Sequence, residues 1–409
     1  MRVSYNLQEV LFFLNLFRLI INSKYIFCSF AKKKYIAMYI VPNKYFRYLL
    51  LTLTNLILFS CDSKKDNPTS SNFDRQVMLQ NYADNFIKPS FIDLQSKTSV
   101  LQATVQTFAQ TPSLSNLIEA QTAWENAYLS WQNSNAYNIG AAAEDGLRKS
   151  LVEEIGTFPA SETMIEANIA ANNTSLQDFN RANRGFLAIE YLLFDLKNDN
   201  QKILSNFTNP NRKNYLVAIV GNAKTQIDAV LNAWNGSYRA EFINNTGKES
   251  GSSTSVLYNE FIKSYESIKN YKVSLPLGKR PGQTQIEPNK VEAYYSGKSI
   301  KMMREHFTNI ENIWYGKNKN GVQGIGFKQY LASVEGGTAL ITATETQLAQ
   351  VKIALAALPD SPRFSEQLSS NPAVIDNLNT ELQKLTRFFK SDMSSLLGIS
   401  ITFMSSDGD

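Results

Sequence analysis

The chain has 409 residues, with 41 Lys/Arg against 36 Asp/Glu, a formal charge of +5, two cysteines and one histidine. Eight of the basic side chains and one acidic one, Glu9, lie in the first 61 residues; removing them leaves 33 basic against 35 acidic, a net of −2 for residues 62–409. A body this close to neutral lacks the basic face that nucleic-acid binding needs, and the basic excess belongs to a targeting segment.

Residues 1–37, with Cys28 and Lys32-Lys33-Lys34, read as an over-extended start, because a start near Met38 places Lys44 and Arg47 at the proper distance from the apolar run that follows; the alternative is an upstream membrane segment, against which Arg18 interrupts the apolar run Val10 to Ile21. Residues 38–60 read as a signal peptide. Lys44 and Arg47 supply its positive end, and the apolar run Leu49 to Phe59 is too short to span a bilayer comfortably. Leu58-Phe59-Ser60-Cys61 resembles a bacterial lipobox, in which Cys61 becomes the lipidated first residue. Acyl chains there would hold the protein on a membrane. A mature chain starting at Cys61 keeps no free thiol, which excludes disulfides and thiolate metal sites. The polar stretch 62–75 is expected to be a flexible tether.

Beyond the tether the apolar spacing is helical. Pro89 is expected to kink the first helix or end it at Lys88. Leu94, Thr98, Leu101, Val105 and Phe108 then form one stripe, and Leu117, Gln121, Trp124, Tyr128 and Trp131 a second, started after Thr111-Pro112-Ser113. Ala160 to Phe179 is polar and Asn-rich and reads as a break, as does Asn206 to Asn211 with Pro210. Ile219, Ala223, Ile227, Val230 and Trp234 mark another helix. Asn235 to Ser255, with three glycines, reads as a mobile loop, and Ser274 to Pro288 is barred from helix by its prolines. Ile300, Met303, Phe307, Ile310 and Trp314 mark the next helix, and residues 338–357 and 374–397 suggest a final pair. The fold class is all-α. The length suits two packed helical bundles, residues 76–205 and 206–409, with a cleft between them.

Residues 185–194 read Gly-Phe-Leu-Ala-Ile-Glu-Tyr-Leu-Leu-Phe. This segment resembles the GxHxxE signature of the imelysin family (peptidase M75), with Leu187 at the histidine position. Trp124 to Tyr137, Glu144 to Lys149 with Phe158-Pro159, Lys272 to Gly278, Lys290 to Gly297 and the tail Phe403 to Asp409 resemble the Bacteroides-type lineage of that family in the same order. The resemblance implies a duplicated helical bundle with a cleft, exported and often membrane-tied. It also implies a link to iron uptake, and a peptidase label that comes from a few members. His and Glu three residues apart on a helix can grip one metal ion. Leucine has no lone pair, so half of that grip is missing.

The candidate site residues follow. Glu190 lies among apolar neighbours, so it needs a cation or a hydrogen-bond donor: in the cleft it serves as an oxygen ligand or hydrogen-bond acceptor, or else it pairs with Arg148 or Arg184 and braces two helices. Gly185 permits close approach of a neighbouring helix or a ligand. Glu144 and Asp145 suit a hard cation or, more simply, a helix start. Glu292, Tyr295 and Ser296 follow the Pro/Gly-rich loop as cleft lining or as caps. His306 falls off its helix's stripe and reads as solvated or at a rim. A zinc hydrolase needs three protein ligands and a base, and one histidine without HExxH supplies neither. The same histidine count argues against serine catalysis.

These readings lead to an envelope lipoprotein with a non-enzymatic binding or accessory role in iron or haem uptake. Its expected partners are the membrane through Cys61 and an outer-membrane transporter or an iron or haem ligand. Iron or another divalent cation is the cofactor class in view. A peptidase M75-type metalloenzyme with a degenerate metal site, and a helical scaffold docking an outer-membrane transporter, are the alternatives.

Overall fold

The computed structural model describes residues 73–145 and 149–403. Cys61, the signal peptide, Arg148 and the tail beyond residue 403 lie outside the described residues. Among those described, no sheet forms and no helix is long and apolar enough to cross a membrane.

Phe73, in the stretch expected to be a tether, stacks on Tyr330 with ring centroids 4.6 Å apart. Asp74 caps α1 (Arg75–Tyr82) by accepting from the Val77 N–H. A π turn, Ala83–Ile87, leads straight into α2 (Lys88–Gln110), so Pro89 neither ends the helix nor breaks it. A proline ring clashes with the carbonyl four residues back, here Asn85, and the wider π turn accommodates it. α3 (Leu114–Gln132) follows, capped by Ser113. Four short helices come next: α4 (Leu151–Gly156), α5 (Glu162–Ala170), α6 (Phe186–Leu193) and α7 (Asn200–Asn206). α5 occupies part of the Asn-rich segment expected to be a break. Ser161 caps it, and Ile165 and Ile169 bury its inner face.

α8 (Pro210–Asn235) starts on Pro210, whose missing N–H costs nothing at a first helical position. It packs lengthwise against α2, and α2 in turn packs along α3. The stripes Leu94 to Phe108 and Ile219 to Trp234 are fully buried. The boundary expected at residue 205 therefore needs correcting, because α8 completes the first bundle instead of opening the second. α9 (Tyr238–Asn244) fills a third of the segment expected to be a mobile loop, and Phe242 packs its ring on Trp234.

The second bundle consists of α10 (Ser253–Ser267) with its π extension Ile268–Ser274, α11 (Ser299–Tyr315), α12 (Phe327–Ala332), α13 (Gly337–Ala356), α14 (Phe364–Ser370), α15 (Pro372–Thr386) and, after a π turn, α16 (Met393–Leu397). α13 pairs with α15, and α11 packs on α10. α11 also packs on α3, so it joins the two bundles. Glu190, Glu292, Tyr295 and Ser296 sit along that seam.

Candidate functional site

α6 is apolar on every side, and each of its residues except Tyr191 is buried. Trp124 and Gln121 of α3 fix it, the first donating to the Phe186 carbonyl at 2.7 Å and the second to the Leu193 carbonyl at 2.8 Å. Gly185 precedes the helix with φ +79° and ψ −173°, a conformation open to glycine almost alone. A Cβ there would lie 2.6 Å from the Ile155 carbonyl oxygen and 2.8 Å from its Cα. Gly185→Ala therefore combines backbone strain with a clash against main chain. It is expected to cost at least about 2 kcal/mol, read as a lowered thermal midpoint.

Leu187 and Glu190 face one small cavity of about 140 Å³, which Glu162, Lys290, Tyr294 and Tyr295 also line. Glu190 is 1% exposed, and among the described residues no arginine is paired with it. Arg184, the partner expected for it, instead donates to the Leu176 and Asp178 carbonyls and lies 3.8 Å from Glu154. The brace on Glu190 is main chain: the Ser296 N–H donates to Oε1 at 2.7 Å. Two left-handed residues, Ala293 (φ 53°) and Gly297 (φ 71°), turn the 292–297 segment so that this N–H meets the carboxylate. Burial, with the nearby Glu292 adding to it, pushes the Glu190 carboxyl up to about 7 against the opposing pull of the Ser296 hydrogen bonds. The Tyr295 hydroxyl donates to Glu162 Oε1, and its ring meets Tyr191 edge-on.

Glu292 belongs to a deeper network. Its Oε1 accepts from the Tyr128 hydroxyl at 2.6 Å, and Oε2 lies 3.0 Å from Lys272 Nζ. Lys272 also donates to Gln132 Oε1 at 2.6 Å. Burial lowers the Lys272 pKa and Glu292 pulls it back up, whereas burial and Glu292 together hold the Tyr128 hydroxyl well above its usual range. The structure thus brings Glu190, Glu292, Tyr295 and Ser296 to one seam. Glu144 and Asp145 lie elsewhere, exposed, and do not start a helix; Ser150 and Glu153 cap α4 with a reciprocal pair of bonds.

His306 is not at a rim. It is 1% exposed, because α11 buries far more of its circumference than one stripe. Its Nε2 is 2.7 Å from Ser264 Oγ, and burial followed by the charge of Lys272 keeps the ring neutral. Nδ1 is buried with no hydrogen-bond partner, and Ser264 Oγ is also 2.9 Å from Asn135 Oδ1. No acid orients the imidazole as a nucleophile-activating base requires, so the pair ties α10 to α11. Sequence reasoning missed Lys272, Tyr128 and Gln132. The available signals were a lysine directly before the apolar Val273 and Leu275 and a tyrosine on a core stripe, each of which must find a partner when buried.

A metal ion, as the signature implies, does not fit these residues. Leu187 offers no lone pair, Glu190 Oε1 is taken by Ser296, and Glu162 Oε1 by Tyr295. Among the described residues no three His, Cys, Asp or Glu side chains converge.

An all-α protein of two joined bundles, with a Gly-x-Leu-x-x-Glu helix start buried at their seam, is the class that fold and site define. The imelysin (peptidase M75) family profile matches residues 87–389, and the chain belongs to that family. It is 22% identical over 292 residues to iron-regulated protein A of Synechococcus elongatus, covering 69% of this chain and 75% of that protein. Two solved structures share the fold. One, from Parabacteroides distasonis and described as an iron-regulated protein A precursor, superposes with a TM-score of 0.64 at 16% identity, over 79% of this chain and 95% of that one. The other, an imelysin-like protein from Psychrobacter arcticum, gives a TM-score of 0.61 at 18% identity, over 81% and 97%.

Proposed function

We propose that this chain is a non-enzymatic binding or accessory member of the imelysin family, held on a cell-envelope membrane through Cys61 and serving iron or haem acquisition. The iron connection is supported by the name of its relative, iron-regulated protein A. The non-enzymatic part rests on one observation: the signature carboxylate is closed in beside Leu187 and already holds the Ser296 N–H. A carboxyl titrating near 7 is suited to general-base work. A hydrolase also needs a metal or an oriented electrophile, and the surrounding side chains provide neither.

In the bacterium that encodes it, loss of the protein is expected to slow growth when ferric iron or haem is limiting. Wild type should rescue that growth and Cys61→Ala should not; unimpaired growth of the deletion strain sinks the reading. Titration with ferric iron, ferrous iron, haem and zinc separates the modes. Saturable binding lost in Glu190→Ala assigns a direct ligand, and its absence assigns docking to a membrane transporter, to be recovered by co-purification.

A further inference from the structure

A second cleft, of about 400 Å³, opens on the other side of the Lys272–Glu292 pair, between α3, α4 and α10. Its walls are aromatic: Trp131 is buried at its back, and Phe158 and Tyr271 meet edge-on at 6.3 Å across its mouth. Tyr271 is 44% exposed although it is a large apolar ring beside an open cavity. The volume falls within the range of small-molecule sites.

The polar groups facing this space define what would fill it. Asn138 Oδ1 is buried without a hydrogen-bond partner, a vacancy worth about 1–3 kcal/mol to a donor that reached it. Lys272 has three N–H bonds; it donates one to Gln132 and lies 3.0 Å from Glu292 Oε2, which leaves at least one donor. The charges, by contrast, are closed among themselves. Lys272 neutralises Glu292, Lys149 meets Glu153 at 3.1 Å, and Lys263 meets Glu260 at 2.6 Å. His306, behind Ser264, is neutral. A charged ligand would enter without a counter-charge, and burying an unpaired ion costs several kcal/mol, more than one hydrogen bond returns.

We propose that this cleft is a binding site for an uncharged, planar aromatic molecule carrying a hydroxyl or amide group, its donor directed to Asn138 and its acceptor to Lys272. The ring lies against Trp131 and against the Phe158–Tyr271 pair. The inference does not rest on the iron reading, and it uses a cavity separate from the one at Glu190.

The test compares three naphthalenes of one shape against the full chain at neutral pH, by equilibrium dialysis: 1-naphthol, 1-naphthoate and 1-naphthylmethylammonium. Saturable binding of 1-naphthol is expected, with both ions at least about tenfold weaker. Val152→Trp, at a partly exposed wall position, is expected to abolish binding with an unchanged thermal midpoint. Asn138→Leu is expected to weaken 1-naphthol about fivefold to tenfold by removing one hydrogen bond. Preference for either ion, no saturable binding of 1-naphthol, or equal binding by a folded Val152→Trp protein would each overturn the proposal.

Discussion

Replacing Lys272 by methionine is expected to cost about 3–5 kcal/mol of unfolding free energy, the largest loss from any single change along the seam. Lys272 and Glu292 are each about 4% exposed, so the carboxylate left behind would keep one donor, Tyr128, and no counter-charge. Methionine preserves the unbranched stem, so packing changes little and the effect isolates the charge. The double variant Lys272→Met/Glu292→Gln should recover about 1–3 kcal/mol relative to the sum of the single changes, since a glutamine oxygen still accepts from Tyr128. Urea unfolding of the four proteins measures the coupling. A single-variant loss below about 1 kcal/mol would mean that the pair does not hold the seam together.

This pair shows where the sequence stops being informative. Helices with one apolar stripe were legible, because period 3.6 marks the buried face whatever packs on it. Leu94 to Phe108 and Ile219 to Trp234 are such stripes, and all ten side chains are buried. What the stripes do not carry is partnership. Nothing in Ile219 to Trp234 says that the helix turns back onto α2, so a boundary drawn at the proline-marked break near residue 205 fell one helix early. His306 was misplaced for a related reason: α11 is wrapped by α3 on one side and α10 on another, so burial extends past the stripe.

The site divides in the same way. Gly185 and Glu190 were recognisable from local spacing. A buried carboxylate favours a cation, which points to an arginine and away from the partner that Glu190 has. That partner is a main-chain N–H 106 residues away, aimed by left-handed conformations at Ala293 and Gly297. A backbone donor leaves no mark on composition. Lys272 likewise meets Gln132, 140 residues distant, and no local pattern encodes that separation.

Glu190 itself gives a pH signature with a determined sign. In the unfolded chain its carboxyl titrates near its ordinary value of 4.5, and in the fold near 7. Below the lower value both states hold the proton and the site costs nothing. Between the two values the unfolded chain releases the proton while the folded chain retains it, so stability falls as pH rises. Above 7 both are ionised, and the full penalty, about 3 kcal/mol at 1.36 kcal/mol per unit, is in place. Glu190→Gln keeps an oxygen for the Ser296 N–H and cannot ionise. It should match wild type at pH 4 and exceed it at pH 8 by about 3 kcal/mol, with the gap opening through the interval between. Glu190→Ala, which leaves Ser296 without its acceptor, should be less stable than Glu190→Gln at every pH. Urea unfolding of wild type and Glu190→Gln across this range decides the matter. A difference that stays constant with pH would show that the Glu190 carboxyl titrates in the fold at its ordinary value, and that some cation or solvent reaches it beside Leu187.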